Sequence, residues 1–338
     1  MGSFLVTIDT EGDDLWGGCE EITTRNALFL PRFQELCERF QVRPTYLVNY
    51  EMAVSPAFVE FGLDVVGRDV AEIGMHLHAW NSPPVVPLTA CDNRYKPYLI
   101  EYPAPVIWTK VDYMTKLLQD TFRVPITSHR AGRWAMNSVY AKSLISSGYT
   151  VDCSVTPCVD WSGNLGDPER NGGVDYRDFP SWPYFVDPDD ISMAGNSPLL
   201  EVPMTVTPCY PLAARSGYPY LSAAGRIVSG WFGNCWLRPD GRNLDSMRQQ
   251  LLKAAEKQSL HAEFMLHSSE LMPGGSPTFR TADSIENLYH DLENVFSLAE
   301  KLFEVDTLRE FRARYNQTGL ELRKALGKTT THTTFFQV

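Results

Sequence analysis

A barrel of parallel strands wrapped by helices, an α/β fold, is the architecture this sequence predicts. Three observations point to it. Apolar strand-like runs alternate with segments of helical period along the whole chain. Seven such runs precede a last short one. The residues able to do chemistry stand at or just past the C-terminal ends of those runs, where barrels of this kind gather their sites. The 338 residues suffice for one large barrel or for two domains. No repeat and no linker divides them. One domain is therefore expected over 1–320, with a poorly ordered tail at 321–338.

Residues 4–9 are a mostly apolar run ending in Asp9, followed by the acidic loop Thr10-Glu11-Gly12-Asp13-Asp14. From Arg25 to Phe40, Leu28, Leu30, Phe33, Leu36 and Cys37 repeat every three to four residues, a helix. Residues 44–49 form the second strand and Pro56 to Val66 a short helix. The third strand ends in Glu72-Ile73-Gly74-Met75-His76-Leu77-His78. Residues 79–105 lack a period and are rich in Pro, Asn and Tyr; they are expected to cross the sheet face as a long loop. A helix over 106–122 leads to a strand end at Ile126-Thr127-Ser128-His129-Arg130. A helix over 137–147 and a strand over 149–152 follow. Residues 154–198 make a second excursion with room for a small hairpin. Residues 199–206 read as the sixth strand, and 208–240 as a third irregular, aromatic excursion. A helix over 245–258, a strand over 263–267 ending in His267, a helix over 284–303 and a short strand over 303–307 complete the domain.

Composition excludes several classes. The balance of 30 basic against 41 acidic residues gives net −11. No basic patch suggests nucleic acid or an anionic membrane surface as partner. No run is long and apolar enough to span a bilayer. The N-terminus enters its first strand without a secretory signal, which points to the cytoplasm. The seven irregularly spaced cysteines are then expected to be free thiols in a reducing compartment.

The stretch that organises the rest is His76-Leu77-His78. Side chains two apart on a strand share a face. Two imidazoles on one face can hold a first-row metal ion, and an anionic third ligand would complete a site with an open position. Asp9 and Glu11 share a face at the same spacing; one could bind the ion and the other act as a base. Arg130 could keep a neighbouring carboxylate ionised. His267 could serve as an acid.

Taken together, these motifs resemble the polysaccharide deacetylases, the NodB-like carbohydrate esterases. Thr7-Ile8-Asp9-Thr10-Glu11 is similar to the family's first motif, in which the first acid is the base and the second binds metal. Glu72 to His76 resembles the second motif, whose leading His is a ligand. His129-Arg130-Ala131-Gly132-Arg133-Trp134 resembles the third, with Arg130 pairing with the base. Asp160-Trp161 resembles the fourth faintly. Met265-Leu266-His267-Ser268 resembles the fifth, whose His is the catalytic acid. The resemblance runs over residues 4–270 and implies a distorted (β/α)7 barrel. It also implies a metal-dependent hydrolase that removes an acetyl or formyl group from an amino sugar.

The chain departs from the family at the second His, which normally follows the first by four residues. That position is Trp80 here, and His78 is the substitute. With Glu11 and His76 it forms the expected ligand set for one divalent ion, zinc first among them. Asp13 and Asp14 remain alternatives to Glu11. Trp80, Trp134, Trp161 and Trp182 can stack on sugar rings or pack as core. Arg133 can clamp a phosphate or stand as a surface charge. His129 is expected to be a packed strand residue. A cytoplasmic enzyme with loops folded over its mouth suits a soluble, even nucleotide-linked, N-acyl sugar better than a polymer. The alternative is a non-catalytic carbohydrate-binding relative.

Overall fold

The computed structural model describes residues 1–13, 15, 22–164, 166, 172–208 and 233–316. The expected tail and most of the 208–240 excursion lie outside these residues, as does Asp14.

Seven parallel strands form a curled sheet: β1 (Ser3–Thr10), β2 (Thr45–Val48), β3 (Glu72–Leu77), β4 (Ser128–Ala131), β5 (Val151–Asp152), β7 (Leu200–Glu201) and β10 (His261–His267). Their order is β10-β1-β2-β3-β4-β5-β7. Two short strands lie at the margins. β6 (Tyr184–Phe185) pairs antiparallel with β7, and β11 (Glu304–Asp306) pairs with the start of β1. The strand count matches the expected distorted (β/α)7 barrel. The ring is nearly closed: β7 and β10 share no ladder among the described residues. Single hydrogen bonds bridge that seam, from Glu263 N to Thr205 Oγ1 (2.9 Å) and from Met265 N to Leu237 O (3.2 Å).

One expected strand is corrected. Residues 199–206 do not run as one element. Pro203 has no N–H to give a ladder. The chain leaves the barrel there and resumes as β8 (Val206–Pro208), which pairs antiparallel with β9 (Asn234–Trp236) in a separate two-stranded sheet.

The helices pack outside: α1 (Leu30–Arg39), α2 (Tyr50–Ala53), α3 (Pro56–Gly67), α4 (Asp92–Tyr95), α5 (Ala104–Phe122), α6 (Ser138–Ser146), α7 (Leu244–Glu256) and α8 (Ala282–Leu302). The boundaries of α3, α5, α6, α7 and α8 agree with the sequence expectations to within a few residues; the short α2 and α4 were not expected, and α4 lies within the stretch read as a loop. A 3₁₀ turn over Arg25–Phe29 replaces the first turns of the helix expected from Arg25. None of the described helices is long and apolar enough to cross a membrane.

Alternation along the strands separates two interiors. Phe4, Val6 and Ile8 face outward into the main core, where Phe4 packs on Phe264 and Phe296. Leu5, Thr7 and Asp9 face the barrel axis. Leu5, Leu47, Val151, Leu200 and Val202 fill its lower part, closed by Leu308 and Phe311. Both faces of the seven parallel barrel strands are thus buried, which is why they read as nearly continuous apolar runs. Above the apolar plug the axis turns polar, and the candidate site stands there.

Candidate functional site

Register brings the site residues to one level. Asp9 on β1 lies opposite His267 on β10, and His76 on β3 lies opposite Arg130 on β4. All four side chains, with Glu11 and His78, are buried at the C-terminal mouth.

Glu11, His76 and His78 converge. His78 Nε2 lies 2.9 Å and His76 Nε2 3.5 Å from Oε2 of Glu11. One ligand-capable atom from each residue falls within 4.8 Å of the others. Donors about 2.1 Å from a tetrahedral ion stand about 3.4 Å apart, so small shifts would seat one. The tautomer also fits. His76 Nδ1 is 3.0 Å from the carbonyl of Arg130, which can only accept. A neutral His76 therefore carries its proton on Nδ1 and leaves Nε2 bare toward the cluster, whereas the protonated ring hydrogen-bonds Glu11 through Nε2. His78 Nδ1 is buried with no hydrogen-bond partner among the described residues. It faces Gly132, where a Cβ would lie 2.8 Å from it and 2.6 Å from Leu77 O. Glycine at that position lets the third and second motif segments touch. Two imidazoles and a carboxylate suit zinc or a neighbouring first-row ion.

Burial pushes the Glu11 carboxyl up, but hydrogen bonds from both histidines and the nearby His267 hold it well below its ordinary value. Asp13 does not join the cluster of Glu11, His76 and His78. Its carboxylate already accepts from Thr23 Oγ1 (2.6 Å), Arg25 N (3.0 Å), Asn26 N (2.9 Å) and Asn26 Nδ2 (2.6 Å). It shapes the loop instead. Asn26 Nδ2 also donates to Glu11 O at 2.8 Å, and Glu11 N and O both meet Ser268 Oγ.

Asp9 is paired with Arg130, whose Nη1 donates to Oδ1 at 2.7 Å. Burial opposes ionisation of Asp9, yet Arg130, His76 and His267 outweigh it and hold the carboxyl below its ordinary value. Arg130 is fully enclosed. Its Nη2 donates to Thr7 Oγ1 (2.9 Å) and to Glu263, its Nε to Cys153 O (3.0 Å), and its Cζ lies 4.8 Å from the ring centre of Trp134. Burial pushes Glu263 up to about 7 despite Arg130. His267 Nε2 stands 3.8 Å from Asp9 Oδ2 and 3.7 Å from Glu11 Oε1.

The aromatic residues divide. Trp134 and Trp161 flank Trp236 with ring centres 6.1 Å away on each side, forming one wall beside Arg130. Trp80 leans on the His78 ring at 5.6 Å. Arg133 is exposed above Tyr98, 6.0 Å from its ring centre. Trp182 is 61% exposed and joins none of these contacts. His129 is structural: it bridges Asp152 and Tyr140, both at 2.6 Å. Asp160 points to Ser162 and Arg177 on the surface. The loop starting at 79 is pinned by Lys110 Nζ, which donates to Ser82 O and to Pro84 O. It carries α4 and buries Tyr98, Leu99 and Tyr102. Tyr98 OH donates to Asn164 O, joining the 79–105 and 154–198 loops.

Sequence reasoning missed Glu263, Trp236, Arg238 and Glu270, all within this site or directly beneath it. It also missed a disulfide. Cys235 is disulfide-bonded, whereas Cys37, Cys91, Cys153 and Cys158 are free. The expectation of free thiols is corrected at Cys235.

No family model and no curated protein matches the chain. Solved structures do. A protein from Mycobacterium smegmatis, provisionally described as a polysaccharide deacetylase, aligns with a TM-score of 0.54 at 13% identity, over 94% of this chain and 92% of that one. The chain has the polysaccharide deacetylase fold. A provisionally described glycoside hydrolase/deacetylase from Parabacteroides distasonis aligns with a TM-score of 0.62 at 10% identity, over 94% of this chain and 72% of that one.

Proposed function

We propose that this chain is a metal-dependent hydrolase that removes an N-acyl group, acetyl or formyl, from an amino sugar. The observation that carries the reading is the convergence of two functional sets at one barrel mouth. Glu11, His76 and His78 form a cluster able to hold one divalent ion, zinc by its donors. Asp9, clamped by Arg130, and His267 stand within 4 Å of that cluster or of each other.

A bound ion at this cluster supplies Lewis-acid polarisation of the acyl carbonyl. The chain's own residues do the rest. Asp9, kept ionised by Arg130, takes a proton from the attacking water as its oxygen bonds to the carbonyl carbon. The C–N bond then breaks, and the leaving nitrogen receives a proton from Nε2 of His267. The products are a carboxylate and an amino sugar. Trp134, Trp236 and Trp161 offer a wall on which a sugar face can stack, with Trp80 at the opposite ligand and Arg133 at the rim.

The substrate we favour is a soluble N-acyl sugar derivative rather than a polymer. Its support is the Tyr98–Asn164 hydrogen bond, which ties together two loops that leave the strands on the mouth side. The cytoplasmic expectation adds nothing here, because a disulfide at Cys235 fits an oxidising compartment better. A nucleotide-linked sugar therefore stands only as one member of the soluble class.

The test supplies zinc-loaded protein with N-acetyl and N-formyl monosaccharide derivatives, nucleotide sugars, chitooligosaccharides and peptidoglycan fragments, and follows released amine. Release from the soluble class alone supports the full reading. Release from polymers alone overturns the loop argument. Binding without release from any of them makes the chain a carbohydrate-binding protein.

A further inference from the structure

The three tryptophans beside Arg130 come from three separate segments, and one buried tyrosine ties those segments together. Trp134 follows β4, Trp161 lies in the 154–198 excursion and Trp236 ends β9. The strip around Tyr176 pairs with the strip that carries Trp161: Trp161 N donates to Val174 O at 3.1 Å, and Tyr176 N to Val159 O at 2.8 Å. Asn234 Nδ2, from β9, donates to Cys158 O at 3.0 Å on that same strip. Tyr176 has no exposed surface, and its ring packs edge-on against Phe179 with centres 4.8 Å apart.

The Tyr176 hydroxyl reaches the third segment. It donates to Trp134 O and accepts from Met136 N at 3.2 Å. The direction of both bonds is fixed, because a carbonyl only accepts and a backbone N–H only donates. The backbone held by these bonds is strained. Arg133 and Trp134 both stand in the left-handed region, at φ 54° and 61°. Residues with a Cβ disfavour that region, and a bulky aromatic one is rare there. Two such residues in succession persist only where surrounding contacts hold them. The turn's own bond, from Ala135 N to Gly132 O, is long at 3.3 Å. The turn places the Trp134 indole between the Arg130 guanidinium at 4.8 Å and the Trp236 ring at 6.1 Å. Trp134 is itself buried, whereas Trp161 and Trp236 are half-buried. Trp134 is thus the buttress of the wall, and the other two present its open faces.

We infer that Tyr176 is a positioning residue: its hydroxyl latches the left-handed Arg133–Trp134 turn and so holds the tryptophan wall in the shape that receives a sugar ring. It touches no reacting atom. Losing the latch should weaken binding and leave the chemical step in place. The Arg130–Asp9 pair has its own hydrogen bond, and the wall meets ground state and transition state alike. This deepens the proposed hydrolase reading and rests on it for the ligand, though not for the latch itself.

The experiment compares the wild type with Tyr176→Phe, which keeps the ring and removes only the hydroxyl, in zinc-supplied protein labelled with 5-fluorotryptophan. Trp134→Phe identifies the Trp134 ¹⁹F resonance by its loss. In Tyr176→Phe that resonance is expected to move and broaden. N-acetylglucosamine is then titrated, and its Kd is expected to rise about tenfold in Tyr176→Phe. For any N-acyl sugar that is hydrolysed, KM should rise by a similar factor while kcat changes by less than about threefold. In a Trp134→Ala background, Tyr176→Phe should shift Kd by less than about twofold, since the residue it acts through is gone. Glycine takes the left-handed backbone without a Cβ penalty. Adding Arg133→Gly to Tyr176→Phe should therefore bring the resonance back toward its place in Arg133→Gly alone. An unmoved Trp134 resonance in Tyr176→Phe overturns the inference. An equal loss of affinity in both backgrounds overturns it as well, because Tyr176 would then support the fold at large. If the wild type binds no N-acetylglucosamine, the sugar wall is overturned and the fluorine comparison alone decides the latch. Binding as expected with no hydrolysis of any N-acyl sugar fails the hydrolase reading and leaves this inference standing.

Discussion

Arg130→Met is the perturbation that reaches furthest into this site. The methionine fills much of the volume and removes every donor. Arg130 has no exposed surface and pairs with Asp9 Oδ1 at 2.7 Å and with Glu263. It also satisfies Cys153 O at 3.0 Å. Charge-assisted hydrogen bonds contribute about 1.5–3 kcal/mol each, and stripping the cation from a buried pair costs about 3–5 kcal/mol. With Asp9 left a buried, unpaired carboxylate, a loss near the upper end, about 5 kcal/mol at pH 7, is expected. The loss should depend on pH with a definite sign. In the wild type Asp9 is held below its ordinary value of 3.8. Its contribution is present above that value and disappears as pH falls through the lower, folded one. The variant lacks the contribution, so the two stability curves should converge in acid. Urea unfolding at a series of pH values, with unchanged denaturant slope, measures this. Adding Glu263→Gln to Arg130→Met should change stability by less than about 1 kcal/mol, because burial already pushes Glu263 up to about 7 and loss of the cation leaves it protonated. A loss below about 1 kcal/mol at pH 7, or a gap that stays constant into acid, would refute the reasoning.

Two further predictions concern separate parts of the molecule. Asp9→Asn should lower turnover by about a hundredfold or more while leaving the bound ion in place, because it removes a base and no ligand; metal analysis alongside kinetics checks both halves. At the opposite end of the barrel, burial pushes His261 down to about 4 from 6.5, with its Nε2 2.7 Å from Pro203 O. The unfolded chain binds that proton first, so this group's stability is complete above pH 6.5 and declines toward about pH 4. The decline amounts to about 3 kcal/mol, and His261→Gln should show a correspondingly flatter stability curve between those limits.

The strands and most helices were legible because barrel strands buried on both faces leave apolar runs that periodicity can find. The ligand pair was legible for a simpler reason: His76 and His78 sit two apart, and strand geometry alone puts them on one side. Asp9, Arg130 and His267 were legible as strand ends. What stayed hidden was set by contacts far apart in sequence. Glu263 reads as one more strand residue, and only the register with Thr7 and Arg130 shows it sharing the guanidinium. Arg238 and Trp236 lay in a stretch with no period, and the seam brings them to the site. Glu270 carried a faint signal, an acid three residues after a strand-end His, the spacing at which a side chain reaches back to a turn's first N–H. The break at Pro203 was visible in the sequence, but the apolar residues around it outweighed it.

The account stands on the ion-binding cluster at the barrel mouth, and calorimetric titration of zinc into metal-free protein tests it most directly. The predicted result is one ion per chain for the wild type and for Asp9→Asn, with binding lost in His76→Ala and in His78→Ala. Full binding by both histidine variants with the fold intact, or no binding by the wild type, would contradict it.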